Sequence, residues 1–138
     1  PNVRRHLDSF AWLCISQQWQ TKEILQGILV KLIPETKEEI VRSWNDDKLV
    51  RQLYNIQQNK RCLIVLDDIW STDAWECIKN AFPTREKGSK ILVTTRNQNV
   101  ATHIGPNGFH HEPRLLSNDE SWELLRKKAL RERYNHGT

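Results

Sequence analysis

Cys62-Leu63-Ile64-Val65-Leu66 runs straight into Asp67-Asp68-Ile69-Trp70. An apolar run of this length bounded by polar residues reads as a buried strand. Its abrupt end at two carboxylates suggests a strand whose C-terminal end faces a ligand. A second run repeats the pattern: Ile91-Leu92-Val93-Thr94-Thr95 is followed by Arg96. In open α/β sheets ligands sit outside the C-terminal ends of the strands. Two acids at one such end and an arginine at another suit a metal-bound polyphosphate.

Outward from these strands the pattern alternates. Phe10 to Ile15 reads as a strand, and Thr21 is a candidate cap for a helix with Ile24, Leu25, Ile28, Leu29, Leu32 and Ile33 on one face, stopped by Pro34. Glu35 to Trp44 is charged and ambiguous. A helix is expected after Asn45 or Asp46, with Leu49, Leu53 and Ile56 inward. Asp73 to Phe82 reads as a helix presenting Trp75, Ile78 and Phe82, closed by Pro83. Gly88-Ser89 turns into a strand over Lys90 to Thr95, and Asn97 caps a short helix bearing Val100, Ala101 and Ile104. Phe109 to Leu116 is expected to form a further strand, at an edge because of Pro113. Ser117-Asn118-Asp119-Glu120 matches a capping box for a helix with Trp122, Leu125 and Ala129 in line, and residues 130–138 are expected to be an unfinished tail. Near-continuous apolar strands separated by helices imply an α/β fold: a parallel sheet with helices on both faces.

A chain of 138 residues, 38% hydrophobic and with six tryptophans, can bury the core of one modest domain. No stretch approaches the roughly 20 apolar residues of a membrane span. The net charge of +4, from 21 basic and 17 acidic residues, is mild and interspersed. Arg126, Lys127, Lys128, Arg131 and Arg133 are mixed with Glu120, Glu123 and Glu132, which reads as a solvated helix face, so no nucleic-acid partner is expected. Three cysteines, Cys14, Cys62 and Cys77, form no C-x-x-C pair and favour a reducing, cytoplasmic setting. The chain contains no methionine and opens without a signal-peptide pattern, which is expected of a piece of something longer.

The site chemistry centres on the strand ends. A carboxylate at the end of a buried strand can hold Mg²⁺, with water and phosphate oxygens completing the shell. A second acid can orient or deprotonate an attacking water. On an extended chain Asp67 and Asp68 would point to opposite sides and so take different roles. A guanidinium at Arg96 can contact a terminal phosphate, and Thr94 and Thr95 add hydroxyls at the same edge. The alternatives are a turn ending a strand and a surface arginine paired with a neighbouring carboxylate. His110 and His111 are adjacent on the expected strand and make a poor metal pair. The glycine-rich G-x-x-x-x-G-K-[ST] loop that cradles phosphates does not occur among the five glycines.

Four stretches in order, FAWLCIS from Phe10, CLIVLDDIW from Cys62, GSKILVTTRN from Gly88 and LLSNDESWELLRKKA from Leu115, make this sequence resemble the nucleotide-binding NB-ARC domain of plant disease-resistance proteins of the nucleotide-binding, leucine-rich-repeat type. Trp70 is typical of the coiled-coil subclass. The resemblance implies a P-loop NTPase-like sheet missing its first strand and P-loop, so that residues 1–138 are a partial nucleotide-binding subdomain. It implies that Asp67 serves Mg²⁺ and that Asp68 is the catalytic acid near the attacking water. Thr94, Thr95 and Arg96 would contact the nucleotide, with Arg96 sensing the γ-phosphate. The cofactors implied are ADP or ATP and Mg²⁺. The parent would be a cytosolic immune switch with weak ATPase activity. Its partners would be its own coiled-coil and leucine-rich-repeat regions and, indirectly, a pathogen effector or guarded host protein. Two other readings remain at this point. A receiver-like phosphoacceptor domain would need a further aspartate and a lysine at another strand end. A non-catalytic interaction module would act through surfaces left open on the sheet.

Overall fold

The computed structural model describes residues 3–83 and 88–134, which divide after Gly108 into two compact units. In the first unit three strands form a parallel sheet in the order β1 (Ser9–Cys14), β2 (Cys62–Asp67), β3 (Lys90–Val93). The register pairs Ala11 with Ile64 and Ile64 with Ile91, and it brings Cys14 level with Asp67. The strands form where apolar residues run continuously, and β2, flanked on both edges, is the most buried. The third strand ends at Val93 rather than Thr95, but pairing continues past it. Thr94 N–H donates to Leu66 O at 3.0 Å and Ile69 N–H donates to Thr94 O at 2.9 Å.

Ala11, Ile64 and Leu66 point into the core, with Leu13, Ile91 and Val93 packed beside them. The alternation of side chains puts Phe10, Trp12 and Leu92 on the opposite face, where they are 45%, 49% and 52% exposed. The P-loop NTPase-like α/β class stands. Within this unit the helices that supply buried core residues include α1 (Thr21–Leu32), α3 (Asp46–Asn59) and α4 (Thr72–Ile78). A Cβ at Gly27 of α1 would lie 2.9 Å from Leu13 Cδ1, so the helix approaches β1 closely because that position carries no side chain.

The helical periodicity of α1 is realised: Leu25, Ile28 and Leu29 are fully buried. Its cap differs from expectation, because Thr21 is already helical and Gln20 holds the cap position without a side-chain bond. The ambiguous charged stretch contains a short helix, α2 (Glu38–Arg42), that buries Val41. Asn45 caps α3 by accepting from Lys48 N–H at 2.9 Å, and Leu49 and Leu53 are buried as expected. The helix expected to reach Phe82 stops at Ile78, and a 3-10 turn follows over Lys79–Ala81. Phe82 is extended, yet its ring still stacks on Trp75 at 5.6 Å. Asn97 caps α5 (Gln98–Ile104), accepting from Asn99 N–H at 2.9 Å.

In the second unit the expected strand over Phe109 to Leu116 is absent: the described residues there pair with no strand. His110 and His111 therefore do not sit on a sheet. The capping box is realised at α6 (Asn118–Tyr134). Ser117 N–H donates to Glu120 Oε2 at 2.9 Å and Glu120 N–H donates to Ser117 Oγ at 3.2 Å. Arg114 and the Ser117 backbone together hold the Glu120 carboxyl down to about 2. The tail expected from residue 130 is helical as far as Tyr134, and 135–138 lie outside the described residues.

Candidate functional site

The C-terminal ends of β2 and β3 lie side by side because the two strands are parallel neighbours in matched register, Leu66 against Val93. That register puts Asp67 and Thr94 on the same side of the sheet. Thr94 Oγ1 donates to Asp67 Oδ1 and accepts the Asp68 backbone N–H at 2.8 Å. One hydroxyl therefore fixes both the first carboxylate and the backbone of the second.

Asp68 does not continue the extended chain. Its φ is 60°, the only positive φ of a non-glycine residue among those described. Aspartate is one of the few side chains that tolerate this left-handed conformation. The simple alternation expected for the acid pair is thus replaced by a sharp local turn, which aims the Asp68 carboxylate at Arg96. The pair is bidentate: Nε donates to Oδ1 at 3.0 Å and Nη2 to Oδ2 at 2.8 Å. These hydrogen bonds from Arg96 lower the Asp68 pKa, and the same contact raises that of Arg96. The guanidinium carbon also lies 4.0 Å from the centre of the Trp70 ring.

Thr95 is placed differently. Its hydroxyl donates to Ile69 O at 2.7 Å and accepts from Asn97 N–H at 3.1 Å. It braces the loop after β2 instead of joining Asp67. Of the five residues singled out from the sequence, Asp67, Asp68, Thr94 and Arg96 meet in one hydrogen-bonded group, and Thr95 supports it from beside. Trp70 was legible only as a subclass marker; nothing in its sequence context announced a stacking partner 26 residues away.

Among the described residues no three His, Cys, Asp or Glu side chains gather to hold a metal. The donor set at Asp67, one carboxylate with a hydroxyl beside it, is nevertheless suited to Mg²⁺. That ion often takes only one or two protein carboxylates and fills its shell with water and phosphate oxygens. The parts a receiver-like phosphoacceptor requires are not gathered here. β1 ends at Cys14, followed by Ile15, and β3 ends at Val93, followed by Thr94 to Arg96, so neither C-terminal strand end carries a lysine. Cys14, Cys62 and Cys77 are all free thiols, and burial pushes the Cys62 thiol up. No helix among the described residues is long and apolar enough to cross a membrane.

A parallel sheet whose C-terminal rim gathers two acids, a hydroxyl and an arginine defines a P-loop NTPase-like α/β domain. Comparison with known proteins is more specific: the NB-ARC domain matches residues 1–135, and the chain belongs to that family. It is 45% identical over 133 residues, 96% of its length, to the candidate disease resistance protein At1g50180 of Arabidopsis thaliana, of which that covers 15%. It is 37% identical over 136 residues, 99% of its length, to the disease susceptibility protein LOV1 of the same plant, of which that covers 15%. It is 38% identical over 125 residues, 91% of its length, to the disease resistance protein RPP8, also from Arabidopsis thaliana, of which that covers 13%. The chain therefore spans about a seventh of the length of these curated relatives.

Proposed function

We propose that this chain forms the metal-side half of an ADP/ATP switch in a plant immune receptor. Asp67 would hold Mg²⁺, oriented by the Thr94 hydroxyl. Arg96 would contact the terminal phosphate and so distinguish ATP from ADP, and Asp68 would position the attacking water. Thr95 would act at one remove, by fixing the loop that carries Asp68 and Trp70. Bound Mg²⁺ would supply charge neutralisation of the phosphates; orientation and exclusion of wrong geometries fall to the side chains. A ligand shifts a two-state equilibrium only through contacts that differ between the states, and the γ-phosphate contact at Arg96 would be that difference. Hydrolysis in the longer protein would be slow and would reset the switch.

The single observation that carries this reading is the joining of Asp67, Asp68, Thr94 and Arg96 into one hydrogen-bonded group on the strand-end rim. Family membership and the disease-resistance and disease-susceptibility names of the relatives support the immune role. The same reading places the parent in the cytoplasm, with its own coiled-coil and leucine-rich-repeat regions as intramolecular partners and an effector or guarded host protein acting on it indirectly. The test uses a longer chain that includes the phosphate-binding loop. Asp67→Ala there is expected to abolish Mg²⁺-dependent nucleotide turnover, and unchanged turnover would overturn the assignment of Asp67. A second reading, an interaction module, draws on the exposed Phe10, Trp12 and Leu92 face. Gel filtration of the 138-residue chain as a clean monomer with no dye-binding apolar surface would remove it.

A further inference from the structure

The Arg96 side chain is 68% exposed, and a long side chain in that position ordinarily samples many rotamers. Here it is held twice. Along one edge, Nε donates to Asp68 Oδ1 at 3.0 Å and Nη2 to Asp68 Oδ2 at 2.8 Å. On one face, the centre of the Trp70 ring lies 4.0 Å from the guanidinium carbon. The two holds restrict different motions. The bidentate pair fixes the guanidinium within its own plane, and the ring beneath it fixes the tilt of that plane. The platform is itself anchored next door, where Ile69 N–H donates to Thr94 O at 2.9 Å and Ile69 O accepts from the Thr95 hydroxyl at 2.7 Å.

A guanidinium presents its N–H groups as a rigid fork with more than one edge. Asp68 occupies the edge formed by Nε and Nη2 and leaves the Nη1 edge open. An oxyanion can therefore bind at Nη1 while the Asp68 pair stays closed. We infer that Trp70 is a positioning residue: it sets the plane of Arg96 and so presents the open Nη1 edge to a phosphate oxygen, with Asp68 still bound. The inference rests on the reading of this rim as a phosphate site, and it adds the residue that prepares the arginine. Affinity gains because the side chain is ordered before the ligand arrives rather than on its arrival. A stacked aromatic suits that task, since it holds the cation without occupying an edge donor. The carboxylate oxygens of Asp68 keep acceptor capacity beyond the two arginine bonds, so the closed pair is compatible with a water at Asp68.

The experiment follows the Arg96 side-chain N–H resonances in the ¹⁵N-labelled 138-residue chain, first alone and then during titration with inorganic pyrophosphate. Arg96→Gln identifies the signals by their loss. In the native chain the Arg96 Nε–H is expected to show an indole ring-current shift and the high heteronuclear NOE of an ordered group. Pyrophosphate should move the Nη1 signals while the Nε–H stays protected from exchange with water. Trp70→Leu fills space without a π face. It should remove the ring-current shift, lower the NOE and weaken pyrophosphate binding about two- to five-fold, the span of an exposed cation–π contact. Trp70→Phe returns a ring face and should recover most of the order and the affinity. Arg96 order indifferent to Trp70→Leu, equal affinity in Trp70→Leu and the native chain, an Nε–H released by pyrophosphate, or no pyrophosphate response at Arg96 in the native chain would each overturn the inference. Failure of the underlying nucleotide reading registers elsewhere, as unchanged turnover by Asp67→Ala in the longer chain. It leaves the ligand-free order of Arg96, and the dependence of that order on Trp70, as they were.

Discussion

The two ends of the same sheet each carry an aspartate–arginine pair, and they differ in what surrounds it. At the N-terminal end Asp8 takes Arg61 through Nη2 at 2.9 Å and Nε at 3.1 Å, and also accepts the Arg61 backbone N–H at 2.8 Å. The one positive φ there, 117° against the Arg61 side chain, belongs to Gly88. The neighbouring Ser89 hydroxyl accepts from Cys62 N–H at 3.0 Å and donates to the carbonyls of Gln57 and Lys60. Among the described residues these contacts close the chain onto itself. At the C-terminal end the positive φ, 60°, is given to Asp68 itself, a residue with a charge to present. A positive φ given to a glycine serves a turn at no steric cost, whereas one given to an acid serves the direction of that acid. An ion pair by its formal description marks nothing; the backbone that carries it separates a staple from a site.

The sheet between the two ends can be weakened first. Ile64 is fully buried in the central strand, and Ile64→Ala should cost about 3 kcal/mol in urea denaturation, with both ends losing order together. If one end persisted, the two would not share a foundation. The next test exchanges the backbone logic. Gly88→Ala should destabilise by about 1–3 kcal/mol, because it imposes a side chain on a φ of 117° and on the Arg61 stem. Asp68→Gly should leave the melting temperature nearly unchanged while freeing Arg96. Equal losses from the two would remove the distinction drawn between the ends. The smallest effect is the pH dependence of the staple. Arg61 lowers the Asp8 pKa from 3.8 to about 2. A depressed folded pKa gives stability that is present above 3.8 and lost as pH falls through about 2. Acid denaturation followed by circular dichroism should therefore show a shallower loss across that window in Asp8→Asn than in the native chain.

What could be read in advance follows from range. The three strands and the buried faces of α1 and α3 declare themselves through apolar runs and helical spacing, which are local signals. The caps at Asn45, Asn97 and Ser117 are equally local, each using a side chain to satisfy an N–H within three residues. The failures are of another kind. Phe109 to Leu116 has a composition fit for a strand, but a strand exists only beside another strand, and among the described residues no strand pairs with it. Phe82 was placed on a helix by spacing, and it reaches the same neighbour, Trp75, from an extended backbone after a 3-10 turn. At the rim the residue types and their adjacency were legible from two strand ends. The turn at Asp68 and the Trp70 platform were not, because both arise from contacts across roughly 26 to 28 positions of chain.

The hydroxyl of Thr94 has a consequence for how such a protein could decay. It is a single oxygen that binds one acid and the backbone of the next, yet the residue sits at the exposed end of its strand, away from the packed interior. An allele carrying Thr94→Val would keep the shape of the domain and its abundance in the cell while leaving Asp67 unsteered. If the rim serves the proposed nucleotide switch, surveys of protein level would score it as healthy, and only an assay of nucleotide turnover would register the loss.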